Sequence, residues 1–210
     1  MTQLLNIGGF EPLSTIDYPD HLSCVIFTQG CPWRCRYCHN HALIPANKHT
    51  EFNWQQIVNF IQTRVGLLEA VVFSGGEPCL QKNLPKAIHH IKSLGFKVGL
   101  HTGGAYPKLF KQCLPYLDWV GFDVKHLPAN YELVTQTPKS GQKAWQSLEM
   151  LLASNVNYQL RTTRHPELMN DEQTARLQRL IKNKYSSKLI IQSCNINNCL
   201  DDKLCSSQTT

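Results

Sequence analysis

The chain has 210 residues, 42% hydrophobic and 17% charged, which suits a single domain and is neither disordered nor membrane-like. Its net charge of +6 is mild and scattered, denser only over residues 161–188, with no Lys/Arg block of the kind that marks nucleic-acid tails. The nine cysteines are an odd count, the opening MTQLLNIGGFEPL lacks the basic-then-apolar pattern of a signal peptide, and no apolar run approaches a bilayer span. A cytoplasmic protein with neither a nucleic-acid nor a membrane partner is therefore expected. In that reducing compartment clustered cysteines bind metal or do chemistry.

After the Gly/Pro-rich opening, LSCVIFT (22–28) reads as a buried strand. NWQQIVNFIQTRV follows with Trp54, Ile57, Val58, Ile61 and Val65 on one helical face, started by Asn53 with Gln56 as a capping box. Further strands are expected at 70–74, 96–102, 119–125, 156–163 and 188–192. Helices are expected near 84–94, 106–114 and 141–154. The helix after Asn170 is the best marked, with Asp171 and Glu172 in its first turn and Lys182 and Lys184 in its last. About six β-α alternations argue for a parallel sheet with helices outside, closed either as a doubly wound sheet or as a partial barrel. In both, the site lies at the C-terminal ends of the strands. That rule puts the cysteine loop, SGGEP, HTGG, DVK and RTT on one rim. The last residues, DDKLCSSQTT, read as a frayed tail.

GCPWRCRYCHN carries Cys31, Cys35 and Cys38 in one loop. Zinc held by these three with His39 or His41 is one reading, although Cys3His sites usually split their ligands between two knuckles. Cys35–His39 also matches C-x-x-C-H for covalent haem, an attachment that wants an export signal. An iron–sulfur cluster fits a single loop: three thiolates hold three irons of a cubane and leave the fourth open for a ligand. Cys24, Cys79 and Cys113 read as packing residues or, for Cys79, a rim bystander. Cys194-x4-Cys199-x5-Cys205 is either a second metal site or a set of unpaired thiols in a mobile tail.

The C-x3-C-x2-C spacing resembles the signature of the radical S-adenosylmethionine enzymes. The resemblance implies a partial (β/α)6 barrel holding one [4Fe-4S] cluster on Cys31, Cys35 and Cys38. Its open iron is chelated by S-adenosylmethionine, whose reductive cleavage gives a 5′-deoxyadenosyl radical. Ser74-Gly75-Gly76-Glu77 resembles the family's GGE motif along the methionine end of the cofactor; the two glycines allow close backbone approach, and Glu77 can accept from an ammonium. The resemblance places Tyr37 near the adenine and counts His39 with the cofactor-binding residues. Thr102-Gly103-Gly104 is similar to a T-N-G segment, with Gly for Asn. Asp123-Val124-Lys125 is similar to a D-x-K strand end whose lysine reaches the cofactor carboxylate, Arg161 being a further candidate; Lys125 read alone could equally be an edge lysine.

Cys38-His39-Asn40 and the segment from Ile7 to Asn40 resemble the activating enzymes of glycyl radical enzymes, above all those of anaerobic ribonucleotide reductase. That likeness covers roughly residues 5–192. It implies a large glycyl radical protein as substrate and a flavodoxin or ferredoxin as electron donor. His101 stands where related activases often carry an Asp that helps bind a monovalent cation, which puts that site in doubt. One domain over 1–205 with a flexible tail at 206–210 is expected. Two other functions compete: a small-molecule enzyme like the 7-carboxy-7-deazaguanine synthases, which usually show C-D-T where this chain has C-H-N, and a non-catalytic zinc module.

Overall fold

The structure, a computed structural model, describes residues 4–48 and 50–205. The expected tail at 206–210 lies outside them. Seven strands form one sheet in sequential order: β1 (Ile7–Ser14), β2 (Ser23–Thr28), β3 (Ala70–Gly75), β4 (Lys97–Thr102), β5 (Trp119–Asp123), β6 (Asn157–Arg164) and β7 (Leu189–Ser193). β1 runs antiparallel to β2, and every later pairing is parallel. A doubly wound sheet reverses its strand order at a switch point. This order never reverses, and β1 and β7 stay at opposite edges, so the architecture is the expected partial barrel, open on one side.

The connecting helices are α1 (Trp54–Gln62), α2 (Leu84–Ser93), α3 (Pro107–Cys113), α4 (Tyr131–Thr135), α5 (Ser140–Leu152) and α6 (Asp171–Tyr185). α1 buries Trp54, Ile57, Val58 and Ile61 as its spacing predicts, but the helix ends at Gln62 and Val65 is exposed. The Asn53 side chain accepts from the backbone N–H of Gln55 and Gln56. The reciprocal capping box is at α6, where Asn170 and Gln173 each cap the other's backbone. Helices cover one face of the sheet around a continuous apolar core. The other face carries Val25, Ala70, Val72 and Trp119, covered by Tyr18 from the β1–β2 connection.

Two expectations need correction, and two elements had no expectation at all. The Gly/Pro-rich opening, left without an element by the sequence, holds a strand: β1 alternates poorly because it is an edge with bulges, and it hides behind its glycines. No α-helix follows β7 among the described residues, so the sixth alternation is a strand followed by a loop and a 3-10 turn over Asp202–Cys205. α4, five residues long, is too short for periodicity to reveal. Finally, DDKLC is packed rather than frayed: Leu204 is fully buried, its carbonyl meets His165 Nε2 at 3.2 Å, and Arg36 and Asp201 form a 2.7 Å ion pair.

Candidate active site

Parallel register brings the rim together. Thr28 pairs with Gly75 and Asp123 with Arg161, so the loops that leave β2, β3, β5 and β6 start side by side. The cysteine loop is clamped at both ends. Its start is held by Gly30 N–H on the Leu43 carbonyl (2.7 Å), Cys31 N–H on Ile44 (3.1 Å) and the Gln29 side chain on Ala42 and Pro45. Its second half is held by Arg34 and Arg36 N–H groups on the carbonyls of Thr135 and Val134, at the end of α4. Tyr131 of the same helix is fully buried; its hydroxyl accepts from Lys125 N–H at 3.0 Å, and its ring lies edge-on to Trp33. That one side chain ties the end of β5 to the cysteine loop, and no sequence spacing announces it.

A cavity of about 270 Å³ opens between these loops. Cys31, Cys35, Cys38, Tyr37 and His39 line one wall; Ser74, Gly75, Gly76, Glu77 and Thr102 another; Asp123, Lys125 and Arg161 the floor beneath them. Every sequence-predicted site residue is therefore on one cavity. Asn40 and Thr163, which the CHN and RTT segments put on the rim without a role, line it too. So does Trp33, whose only signal in the sequence was an aromatic two residues past the first cysteine.

The glycines of the GGE segment answer first to neighbouring backbone. Gly75 has φ +111°, and a Cβ on it would strike the Thr28 backbone; a Cβ on Gly76 would strike the Gly30 carbonyl. They let the two loops touch, with Gly76 N–H on Thr28 and Glu77 N–H on Gly30. The Gly that replaces Asn after Thr102 also has a local cause: a Cβ on Gly103 would run into the Trp33 indole.

Glu77 is buried, and burial pushes its carboxyl above the usual range against the hydrogen bonds it accepts. Those come from Thr102 Oγ1 (2.7 Å) and Cys79 N–H (3.1 Å) on Oε1, and from Gly103 N–H (3.1 Å) on Oε2. A carboxylate has about four acceptor positions, so Oε2 keeps room for one more donor, and an ammonium there would relieve the cost of burial.

Lys125 lies two residues beyond the end of β5 and lines the cavity half-buried, its side chain 14% exposed. That removes the edge-lysine reading. Its Nζ is 5.7 Å from the Tyr37 ring centroid, 6.0 Å from Trp33 and 3.9 Å from Asp123 Oδ2. Burial opposes its charge, yet the acidic groups around it, Tyr37, Cys35 and Asp123, hold its pKa well above the ordinary lysine value. Asp123 Oδ1 also meets Arg161 Nη2 at 3.2 Å. Burial raises the Asp123 carboxyl, but Arg161 and Lys125 outweigh it and the net direction is down. His101 donates from Nε2 to the Asp17 carbonyl at 2.9 Å, and burial with the nearby Arg161 lowers its pKa. Beside Asp123, then, the positive charge comes from Arg161 and Lys125, and His101 adds no anion for a monovalent cation.

The donor set fits the group that the spacing implies. Burial pushes the thiols of Cys31 and Cys35 up to about 12 and about 11, so three thiolates are sustained here only with a cation among them. The buried Tyr37 hydroxyl, on the cavity wall, has no partner. Cys79 and Cys113 are buried beside each other and Cys24 lies in the core, as packing residues do.

Residues 25–178 match the family model of the Radical SAM superfamily. The chain belongs to the radical SAM superfamily. It is 32% identical over 183 residues, covering 84% of this chain and 75% of the relative, to a Methanocaldococcus jannaschii protein whose name assigns it as a glycyl-radical enzyme activating enzyme. It is 32% identical over 135 residues to the pyruvate formate-lyase-activating enzyme of Staphylococcus aureus, covering 58% of this chain and 53% of that enzyme. The fold is shared with native anSMEcpe with bound AdoMet (TM-score 0.61, 14% identity, 84% of this chain, 54% of that one). It is also shared with Streptococcus suis SuiB bound to S-adenosylmethionine (TM-score 0.61, 15% identity, 81% of this chain, 40% of that one). This radical SAM chain is accordingly an enzyme, with a [4Fe-4S] cluster and S-adenosylmethionine as its cofactors. A non-catalytic zinc module is set aside. No helix among the described residues is long and apolar enough to cross a membrane.

Proposed function

We propose that this radical SAM enzyme activates anaerobic ribonucleotide reductase, or a related glycyl radical protein, by removing a hydrogen atom from a backbone glycine of that large partner. The observation that carries the reading is the 32% identity, over 84% of the chain, to a relative assigned as an activating enzyme. The C-H-N after the third cluster cysteine supports it.

When bound, the cluster and S-adenosylmethionine supply the one-electron chemistry that ends in hydrogen abstraction. The chain's own residues hold and orient. Cys31, Cys35 and Cys38 would hold the cluster. Glu77 would accept from the cofactor ammonium, while Thr102 and the Cys79 and Gly103 N–H groups keep that carboxylate fixed. Lys125 and Arg161 would present positive charge to the cofactor carboxylate, and Asp123 holds both in place. Ser74, Gly75 and Gly76 bring backbone alongside, and Tyr37 with Trp33 walls off water. The electron donor in this reading is a flavodoxin or ferredoxin, and the compartment is the cytoplasm, whose reducing poise keeps the nine thiols free.

The test is to mix the anaerobically reconstituted enzyme, S-adenosylmethionine and a reductant with candidate glycyl radical proteins and record electron paramagnetic resonance. A glycyl radical on the reductase, with 5′-deoxyadenosine formed, supports the reading. Cofactor cleavage without a radical on any such protein would direct attention to a small-molecule substrate.

A further inference from the structure

We propose that Cys194, Cys199, Cys205 and His39 form a second metal site, a closed Cys3His site for one zinc ion that fastens the C-terminal segment to the cluster loop. A nitrogen of His39 and the sulfurs of Cys194 and Cys199 all lie within 4.8 Å of one another. Cys205, four residues past the Arg36-bound Asp201, lies beside Cys199 but outside that trio, and supplies the third sulfur. With Zn–S near 2.3 Å, the edge of a zinc tetrahedron is about 3.8 Å. Ligand atoms this close suit one ion. A cubane spreads its thiolates further, because each sits on a different iron.

The surroundings are built for ligation. Cys194 and Cys199 are buried, and both thiols point at the single carbonyl of Asn195, at 3.4 and 3.5 Å. Two weak S–H donors crowded on one acceptor gain little there; as thiolates on a cation, with their protons released to solvent, they are satisfied. His39 donates from Nδ1 to the Asn197 carbonyl at 3.1 Å, which in the neutral ring leaves the other nitrogen bare. That is the outer hydrogen bond that orients a metal-bound imidazole. His41 Nε2 donates to Asn198 Oδ1 (3.0 Å), and Asn198 returns a bond to the His39 carbonyl (3.4 Å). The ligands also come from two separate stretches, one knuckle of cysteines and one histidine from the cluster loop, as closed zinc sites commonly do.

The consequence is mechanical. His39 follows Cys38 directly, so an ion here anchors the end of the cluster loop to the rim after β7, where no α-helix follows among the described residues. His39 then serves the second ion rather than S-adenosylmethionine, although it lies on the cavity wall.

The test is metal analysis of the full chain, purified without chelator and with its cluster reconstituted, followed by zinc K-edge X-ray absorption. About four irons and one zinc per chain are expected, the zinc with three sulfurs and one nitrogen. Cys194→Ala and Cys199→Ala each lose the zinc and keep the iron. The doubly substituted Cys31→Ala/Cys35→Ala chain loses the iron and keeps the zinc. Zinc absent from the wild type, about eight irons in place of four, or zinc retained in Cys194→Ala would each overturn the proposal. If the cysteine variants do not fold, the wild-type absorption shell decides: an oxygen-rich shell, or one without nitrogen, overturns it.

Discussion

Two groups of three cysteines lie on the same rim, and they are built in opposite ways. Cys31, Cys35 and Cys38 face a cavity of about 270 Å³ whose far walls carry a buried carboxylate, an ammonium and a guanidinium. In the C-terminal group Cys194 and Cys199 close on each other and on His39 within 4.8 Å. The first arrangement keeps a place for a ligand; the second uses its ligands on itself. Open sites do chemistry and closed ones hold structure. The two meet at neighbouring residues, Cys38 and His39, so in the proposed reading the support begins where the chemistry ends.

The sharpest way to break this contrast is at the open group. Cys35→Ala should abolish reductive cleavage of S-adenosylmethionine; 5′-deoxyadenosine still formed by the variant would remove the cluster assignment. Next comes the cavity floor. Lys125→Met should weaken S-adenosylmethionine binding by about 10–100-fold, the worth of a charge-assisted hydrogen bond of about 1.5–3 kcal/mol. An unchanged Kd in equilibrium binding would take Lys125 out of the cofactor set.

On the closed side, Leu204→Ala empties a fully buried position in the last described turn. It should cost about 2–5 kcal/mol in a denaturant titration, as core leucines do, whereas a frayed tail would show no change. Gly76→Ala pushes a methyl at the Gly30 carbonyl. An overpacking loss of about 1–3 kcal/mol is expected, together with poorer cluster loading, because Gly30 precedes Cys31. A variant as stable and as iron-rich as the wild type would show that the two loops have slack.

The smallest effect is a pH slope away from both groups. His126 is buried, with Nδ1 accepting from Leu127 N–H and Nε2 donating to the Leu168 carbonyl, and burial lowers its pKa. The unfolded chain takes up a proton that the folded chain refuses, between that lowered value and the ordinary one of about 6.5. Stability from His126 is therefore full above about pH 6.5 and is lost as pH falls below it. The drop in Tm between about pH 7 and about pH 5.5 should be steeper in the wild type than in His126→Asn. Parallel slopes would assign acid sensitivity elsewhere.

Sequence patterns that act over short spans were legible. The strands from β2 to β7 read as apolar runs, the apolar face of α1 showed through Ile61, and the Asn170 cap of α6 stood in plain order. The thiol spacing, GGE and D-x-K were likewise visible, since each is a few residues at a strand end. Less visible were elements that depend on partners. β1 is an edge whose glycines disguise it, α4 is a single turn, and Trp33 looked like one more loop aromatic until it filled the space above Gly103.

By itself the sequence determined the alternation of strand and helix and the chemistry of the rim loops, because periodicity and motif spacing are local. Only the tertiary structure decided what those loops do to one another. Parallel register set Asp123 beside Arg161 and Thr28 beside Gly75. Burial gave Glu77 its raised carboxyl and Lys125 its guarded charge. Packing between the two ends of the chain's rim carried Cys194 to His39. Contacts between distant residues depend on how the whole sheet stacks, and no spacing along the chain encodes that distance.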